Sequence, residues 1–72
     1  MCLAIPMRIH SMLPGSQAVC ELDGFHMTVG IELVPDAMPG EHVLVHAGFA
    51  LERMDQDTAR SLIDDIHAVS GV

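Results

Sequence analysis

The sequence is poor in aromatic and basic residues. Its 72 residues include no tryptophan, no tyrosine, two phenylalanines and no lysine. Three arginines stand against ten acidic residues, so the formal net charge is −7 at pH 7 with histidine neutral. Proteins that bind nucleic acid need clustered basic side chains for the phosphates and aromatic rings for the bases, so nucleic acid is not an expected partner. The same shortage argues against an anionic membrane surface.

Long apolar runs are also missing, although 50% of the residues are hydrophobic. No stretch approaches the roughly 18 apolar residues that cross a bilayer, and no basic segment typical of a secretory signal is present. We therefore expect a cytoplasmic protein that does not enter a membrane. Its two cysteines, Cys2 and Cys20, are expected to be free thiols because the cytoplasm is reducing.

The length predicts one domain over residues 1–72, with a thin core filled by methionine and aliphatic side chains. Alternating apolar and polar residues predict short β-strands, beginning at the first residues. Pro6 cannot donate a ladder hydrogen bond, so the first strand is expected to lie at an edge or to bulge there. The pair Asp23-Gly24 predicts a β-hairpin, and Gly30 indicates a bulge in its second arm.

A further strand is expected over residues 42–46, and the periodicity becomes helical after residue 54. Asp55 is a suitable N-cap for this helix. Its apolar face is expected to consist of Ala59, Leu62, Ile63, Ile66 and Val69. Together these patterns predict a mainly β fold: a small OB-like antiparallel barrel over about residues 1–50, with an appended C-terminal helix over about residues 55–70.

Cys2 and His46 are the residues with the clearest chemical potential. A thiol near the chain's α-ammonium group favours the thiolate, which is the reactive and metal-binding form. His46 lies where a strand is expected to end, and Gly48 after it permits a left-handed turn. Each has a structural alternative, an incidental small hydrophobe for Cys2 and a surface strand residue for His46. Cys20, in the centre of a predicted strand, is interpreted as a buried structural thiol.

Two segments resemble the signatures of the HypC/HupF/HybG family of [NiFe]-hydrogenase maturation chaperones. The first is Met1-Cys2-Leu3-Ala4-Ile5-Pro6-Met7-Arg8-Ile9, and the second is Pro39-Gly40-Glu41-His42-Val43-Leu44-Val45-His46-Ala47-Gly48-Phe49-Ala50. Three positions depart from the usual pattern: Met7 stands where many members have glycine or alanine, Glu41 replaces aspartate, and His42 replaces an aromatic residue. The resemblance extends over the whole chain.

This resemblance implies a chaperone rather than an enzyme. It implies binding to a HypD-type iron–sulfur protein and to the immature hydrogenase large subunit, with delivery of an Fe(CN)2CO unit between them. Cys2 and His46 would hold that iron transiently, and no permanently bound cofactor is expected. The residues expected to contact partners are Cys2, Leu3, Ile5, Pro6, His46, Gly48 and Phe49.

Two other functions are compatible with the same residues. A small thiol enzyme could use a Cys2–His46 thiolate–imidazole pair, although no orienting third residue or oxyanion site is evident and the chain is small for a substrate cleft. Alternatively, the chain is a purely structural β module in which Cys2 has no chemical role.

Overall fold

The computed structural model describes residues 4–70, and side chains over residues 4–66. Five strands close into a barrel in the order β1-β2-β3-β5-β4, and a helix follows them. Neighbouring strands are antiparallel, except that β3 and β5 pair in parallel and so close the barrel. The elements are β1 Ile5–Leu13, β2 Gln17–Leu22, β3 Phe25–Gly30, β4 His42–His46, β5 Phe49–Met54 and α1 Gln56–Ser70. The predicted mainly β, OB-like barrel with a C-terminal helix is confirmed.

The core lies inside the barrel, where alternate residues of each strand point inward. No aromatic side chain is among the buried core residues in the described part of the chain. The segment between β3 and β4 also reaches the core, because successive tight turns bring every third residue inward. The buried cluster consists of Met7, Ile9, Ala18, Cys20, Val29, Ile31, Val34, Ala37, Val43, Val45 and Ala50.

Pro6 lies beside one strand and not two. It pairs with Leu44 of β4, whereas the pairing of β1 with β2 begins only at Arg8. The expected edge position is therefore confirmed at Pro6 itself. No second strand pairs with β1 at this point, so the missing N–H of Pro6 removes no hydrogen bond there. The expectation that the whole of β1 is an edge strand is wrong, because β1 has a neighbouring strand on each side. The bulge in β1 is not at Pro6 either. It lies at His10, the extra residue in the register shift of β1 against β2.

The β-hairpin predicted at Asp23-Gly24 is confirmed. Both residues have positive φ, 51° and 85°, and Leu22 pairs with Phe25, which describes a two-residue turn of type I′. Strand β5 was not predicted as a separate strand, and it continues the barrel to Met54, beyond the expected end at about residue 50. Its exposed residues are both apolar (Phe49, Leu51) and charged (Glu52, Arg53), and its register is shifted at Leu51, so it lacks a clean alternation of apolar and polar side chains.

The helix packs across the outside of β1 and β4. Its start agrees with the sequence, because the Thr58 amide donates to Asp55 Oδ1 at 2.7 Å. Ala59 is fully buried, and the next three residues of the predicted apolar face are half-buried, while the side chain of Val69 lies outside the described part. Pro6, also buried, contributes to the outer surface of β1. No helix within the described residues is long and apolar enough to cross a membrane.

Candidate functional site

The start of β1 and the end of β4 lie side by side. Ile5 pairs with Val45 and Pro6 with Leu44 in the antiparallel ladder. Ala4 and His46 are the next residues along the two strands, so they leave this ladder at the same end of the barrel. The structure therefore brings the N-terminal signature segment next to the second signature segment, which are forty residues apart in the sequence.

His46 lies on the outer surface at the start of a tight turn. Val45 before it is buried, so the alternation of the strand directs His46 outward, where it is half-buried. Ala47 and Gly48 follow with φ of 55° and 85°, and His46 pairs with Phe49 across this two-residue type I′ turn. Alanine is disfavoured at positive φ. The predicted turn at Gly48 is thus present, and it fixes His46 and Phe49 as neighbours.

Phe49 lies against the backbone of β3. A Cβ atom placed on Gly30 would be 2.8 Å from Cδ1 and 3.0 Å from Cε1 of the Phe49 ring, so only glycine leaves room for the ring in this position. Gly30 pairs regularly with Gln17, and the bulge predicted there is wrong. The glycine serves close approach instead. Phe49 nevertheless remains 49% exposed, so one side of its ring is available on the surface.

The predicted site residues have different surroundings. Cys2 and Leu3 lie outside the described residues, so the pairing of Cys2 with His46 and the partner contact of Leu3 stay predictions. Ile5 is 38% exposed and can contribute to a surface, whereas the side chain of Pro6 is buried. Over the described residues, no group of three or more potential ligands is arranged to hold a metal ion. The described part of the site thus offers one imidazole and an apolar surface beside it.

Cys20 is fully buried in the core, as predicted for a structural thiol. Burial raises the pKa of the Cys20 thiol, because the charged thiolate is poorly solvated there. A thiol that is both inaccessible and protonated is a poor nucleophile and a poor metal ligand. Any thiol chemistry of the folded chain is therefore left to Cys2.

His42 is half-buried between the barrel and α1. Burial, and then the nearby Arg8 charge, lower the pKa of His42. It lines an open cleft of about 530 Å³ together with residues of the helix, namely Gln56, Arg60, Ile63 and Asp64. The histidine thus takes the place of an aromatic residue under the helix, where a ring can pack. This cleft was not predictable from the sequence, because it depends on how α1 lies across the barrel.

Glu41 connects the segment after β3 to β5. Its carboxylate accepts hydrogen bonds from the Met38 amide at 2.8 Å and from Arg53 Nη2 at 2.6 Å. These two bonds lower the pKa of Glu41, with the Arg53 bond the larger cause. Both oxygens are therefore engaged, and the Glu41 side chain helps to hold the segment that leads into β4.

Comparison with known proteins decides the family. The sequence profile of the HupF/HypC family matches residues 1–66. The chain belongs to the HupF/HypC family. Among its relatives, the hydrogenase maturation factor HypC of Azotobacter chroococcum mcd 1 is 42% identical over 60 residues, which are 83% of this chain and 71% of the relative. HypC of Rhizobium leguminosarum bv. viciae is 41% identical over 59 residues, 82% of this chain and 79% of the relative.

A further relative, HypC of Cupriavidus necator, is 39% identical over 59 residues, which cover 82% of this chain and 66% of the relative. The resemblance drawn from the two signature segments is therefore confirmed at the level of the family. In this HupF/HypC chain, the described residues of both signatures lie on the paired strands β1 and β4 and the segments that flank β4. The roles of individual residues there stay predictions.

Proposed function

We propose that this chain is a chaperone of [NiFe]-hydrogenase maturation. It binds a HypD-type iron–sulfur protein and then the immature hydrogenase large subunit, and it helps to deliver the Fe(CN)2CO unit to that subunit. Membership of the HupF/HypC family and relatives named as hydrogenase maturation factors support the proposal. The proposal places the chain in the cytoplasm, where a cysteine near its terminus stays reduced.

The observation that carries the proposal is the ladder between β1 and β4. Because Ile5 pairs with Val45, Ala4 and His46 leave the barrel at the same end. Cys2 is joined to Ala4 by two peptide units, which reach at most about 7 Å. The Cys2 thiol is thus tethered to the end of the barrel that carries His46. A thiolate and an imidazole in reach of one iron are a suitable pair of soft and borderline ligands.

An incomplete ligand set suits transfer. Within the described residues the His46 ring has no hydrogen-bond partner that holds it in place, so it can turn toward an incoming group. Two ligands leave the other iron positions to the cargo's own cyanide and carbonyl groups and to the protein that gives or receives it. A closed set of four protein ligands would hold a metal more firmly. We therefore assign Cys2 and His46 to brief retention of iron and not to permanent storage.

Exposed apolar side chains next to His46 supply a docking surface for protein partners. Ile5 and Phe49 are 38% and 49% exposed and pair with Val45 and His46 at the end of β4, and Leu51, 43% exposed, follows two residues after Phe49 in β5. Aromatic residues such as phenylalanine are enriched in protein interfaces, and the burial of apolar surface is a main driving force for association. Phe49 is the strongest candidate, because Gly30 supports one side of its ring and leaves the other open.

Capture of both partners tests the function. The full chain and its Cys2→Ala variant are used to capture the HypD-type protein and the large-subunit precursor, with Cys20→Ala as the matched thiol control and circular dichroism to check folding. We expect Cys2→Ala to lose capture by at least about tenfold while the folded control keeps it. Capture of both partners by Cys2→Ala, together with normal hydrogenase maturation, would contradict the role of Cys2.

Iron content tests the metal part of the proposal separately. Protein purified anaerobically with its HypD-type partner is examined for iron by elemental analysis and for cyanide and carbonyl by infrared spectroscopy. His46→Gln should lower iron retention, and His42→Gln, the matched histidine at the other end of β4, should not. A complex that lacks iron and both diatomic ligands would reduce the chain to a docking adaptor. Turnover of a thioester or peptide by the isolated chain would instead favour a small thiol enzyme using Cys2 and His46.

A further inference from the structure

Two histidines outside the candidate site meet on the outer surface of the barrel. His10 belongs to β1 and His26 to β3, and β2 lies between them. Their rings are in edge-to-face contact, with centroids 5.5 Å apart and planes at 80°. Both side chains are exposed. The contact depends on the bulge in β1, because His10 is the unpaired residue between two registered positions and is thereby redirected toward β3.

The hydrogen bonds of this pair leave the outer ring nitrogens free. His26 Nδ1 lies 3.2 Å from the Gly24 carbonyl oxygen, which only accepts, so Nδ1 carries the proton and donates. The lone pair of the neutral His26 ring is then on Nε2. His10 Nδ1 lies 3.4 Å from the Ser11 hydroxyl, which can accept, and the tautomer with its proton on Nδ1 has its lone pair on Nε2. A backbone carbonyl that fixes the second nitrogen is the usual arrangement around a metal-bound histidine.

We propose that His10 and His26 form a two-histidine site for a divalent transition metal ion such as Ni²⁺, Zn²⁺ or Cu²⁺. With metal–nitrogen distances of about 2.1 Å, two imidazoles on one ion have ring centroids roughly 5 Å apart. The observed 5.5 Å is close to this, so the two exposed rings already lie at about the separation that one shared ion requires. Water completes the coordination, so the ion exchanges readily.

The surrounding charges favour a cation at this position. The chain carries a formal net charge of −7, which raises the local concentration of cations. Glu21 pairs with His26 in the ladder between β2 and β3, and its Oε1 accepts from Arg8 at 3.2 and 3.3 Å. This ion pair offsets the Arg8 charge beside the site. Imidazole nitrogen is a preferred ligand of nickel, copper and zinc, and it is poorly suited to magnesium or calcium.

The site is tested with Ni²⁺ alone on the full chain carrying Cys2→Ser, so that the thiol of the proposed iron site takes no part. Amide and histidine ring signals are followed by NMR during the titration. We expect paramagnetic broadening centred on His10 and His26. We also expect His10→Gln and His26→Gln each to weaken binding by more than about tenfold.

The matched control is His42→Gln, which lies outside both proposed sites and should leave the Ni²⁺ affinity unchanged. Broadening centred on any other residue would overturn the proposal. So would an unchanged affinity in the His10→Gln/His26→Gln double variant. The Cys2→Ser background removes one of the two predicted iron ligands, and the readout is Ni²⁺ binding at named residues and not partner capture, so failure here is distinguishable from failure of the maturation function.

Discussion

Gly30 is the residue that allows an aromatic ring to pack against the backbone of β3. The Phe49 ring occupies the space where any other residue would place its Cβ atom. Gly30 is not among the glycines with positive φ, so alanine can adopt its backbone conformation. The requirement for glycine here is therefore steric and depends on one neighbouring side chain.

We expect Gly30→Ala to destabilise the chain by about 1–2 kcal/mol, since overpacking displaces the Phe49 ring. In a Phe49→Ala background the same change should be neutral or slightly stabilising. Alanine has fewer backbone conformations in the unfolded chain than glycine, so folding loses less conformational entropy. Urea unfolding of the four proteins of this double-mutant cycle measures the coupling. Equal costs of Gly30→Ala in both backgrounds would show that the ring does not set the requirement.

Ala47 carries backbone strain in the turn that follows His46. Its φ of 55° is a conformation that asparagine and glycine adopt more readily than alanine. We expect Ala47→Asn to stabilise the chain by about 0.5–1 kcal/mol in thermal or urea unfolding. Ala4→Asn is the matched control, an exposed alanine without positive φ, and it should have little effect. If Ala47→Asn does not raise the free energy of unfolding, then residue 47 adopts a less strained backbone conformation in solution.

At the scale of elements, the helix depends on its first turn. The Asp55 carboxylate accepts from the Thr58 amide, and this hydrogen bond is the first cause of the lowered pKa of Asp55. A carboxyl whose pKa is lower in the folded state stabilises the fold above its unfolded value of about 3.9, and the stabilisation is lost as the pH falls toward the lower folded value.

Asp55→Ala should therefore lower Tm at pH 7, whereas Asp55→Asn, which also caps, should nearly preserve it. On acidification below about pH 4, the advantage of the natural chain over Asp55→Asn should shrink, because only the natural chain loses a charged cap. Thermal unfolding between pH 7 and pH 3 measures both effects. A difference between these two proteins that does not change with pH would show that the carboxylate charge does not contribute.

Elements set by local chemistry were predictable from the sequence, and those set by distant pairing were not. Asp23-Gly24 specifies its turn by its own backbone preferences, and Asp55 with the apolar residues after it specifies a helix. Strand β5 and the bulge at His10 depend on partners elsewhere in the chain, so the sequence around them carries little signal. The contact between His10 and His26 follows from that bulge and could not be anticipated.

The candidate site also combines features set by local sequence with features set by distant strand pairing. His46 and the turn after it were predicted from a strand end followed by Gly48, and the turn is present. The meeting of the N-terminal segment with His46 needed the register of β1 against β4, which spacing alone does not provide. The family signatures therefore singled out the two segments before any physical reason for their proximity was available.

At the scale of the whole molecule, closure of the barrel protects its interior. Cys20 lies in β2 between Ile9 of β1 and Met27 of β3, and its side chain is fully buried. Both neighbouring ladders must be disturbed before a reagent reaches the thiol. Since burial also raises the pKa of Cys20, the folded thiol is unreactive for two reasons.

In the Cys2→Ser variant Cys20 is the only cysteine, so its labelling by a thiol reagent reports opening of the barrel. We expect the opening free energy from labelling rates to equal the free energy of unfolding in urea, because a closed five-stranded barrel has no free edge from which β2 can separate. Gly30→Ala, added to this variant, should speed labelling about tenfold for each 1.4 kcal/mol of lost stability. Labelling much faster than the unfolding equilibrium allows would instead show that β2 detaches locally while the rest of the barrel stays folded.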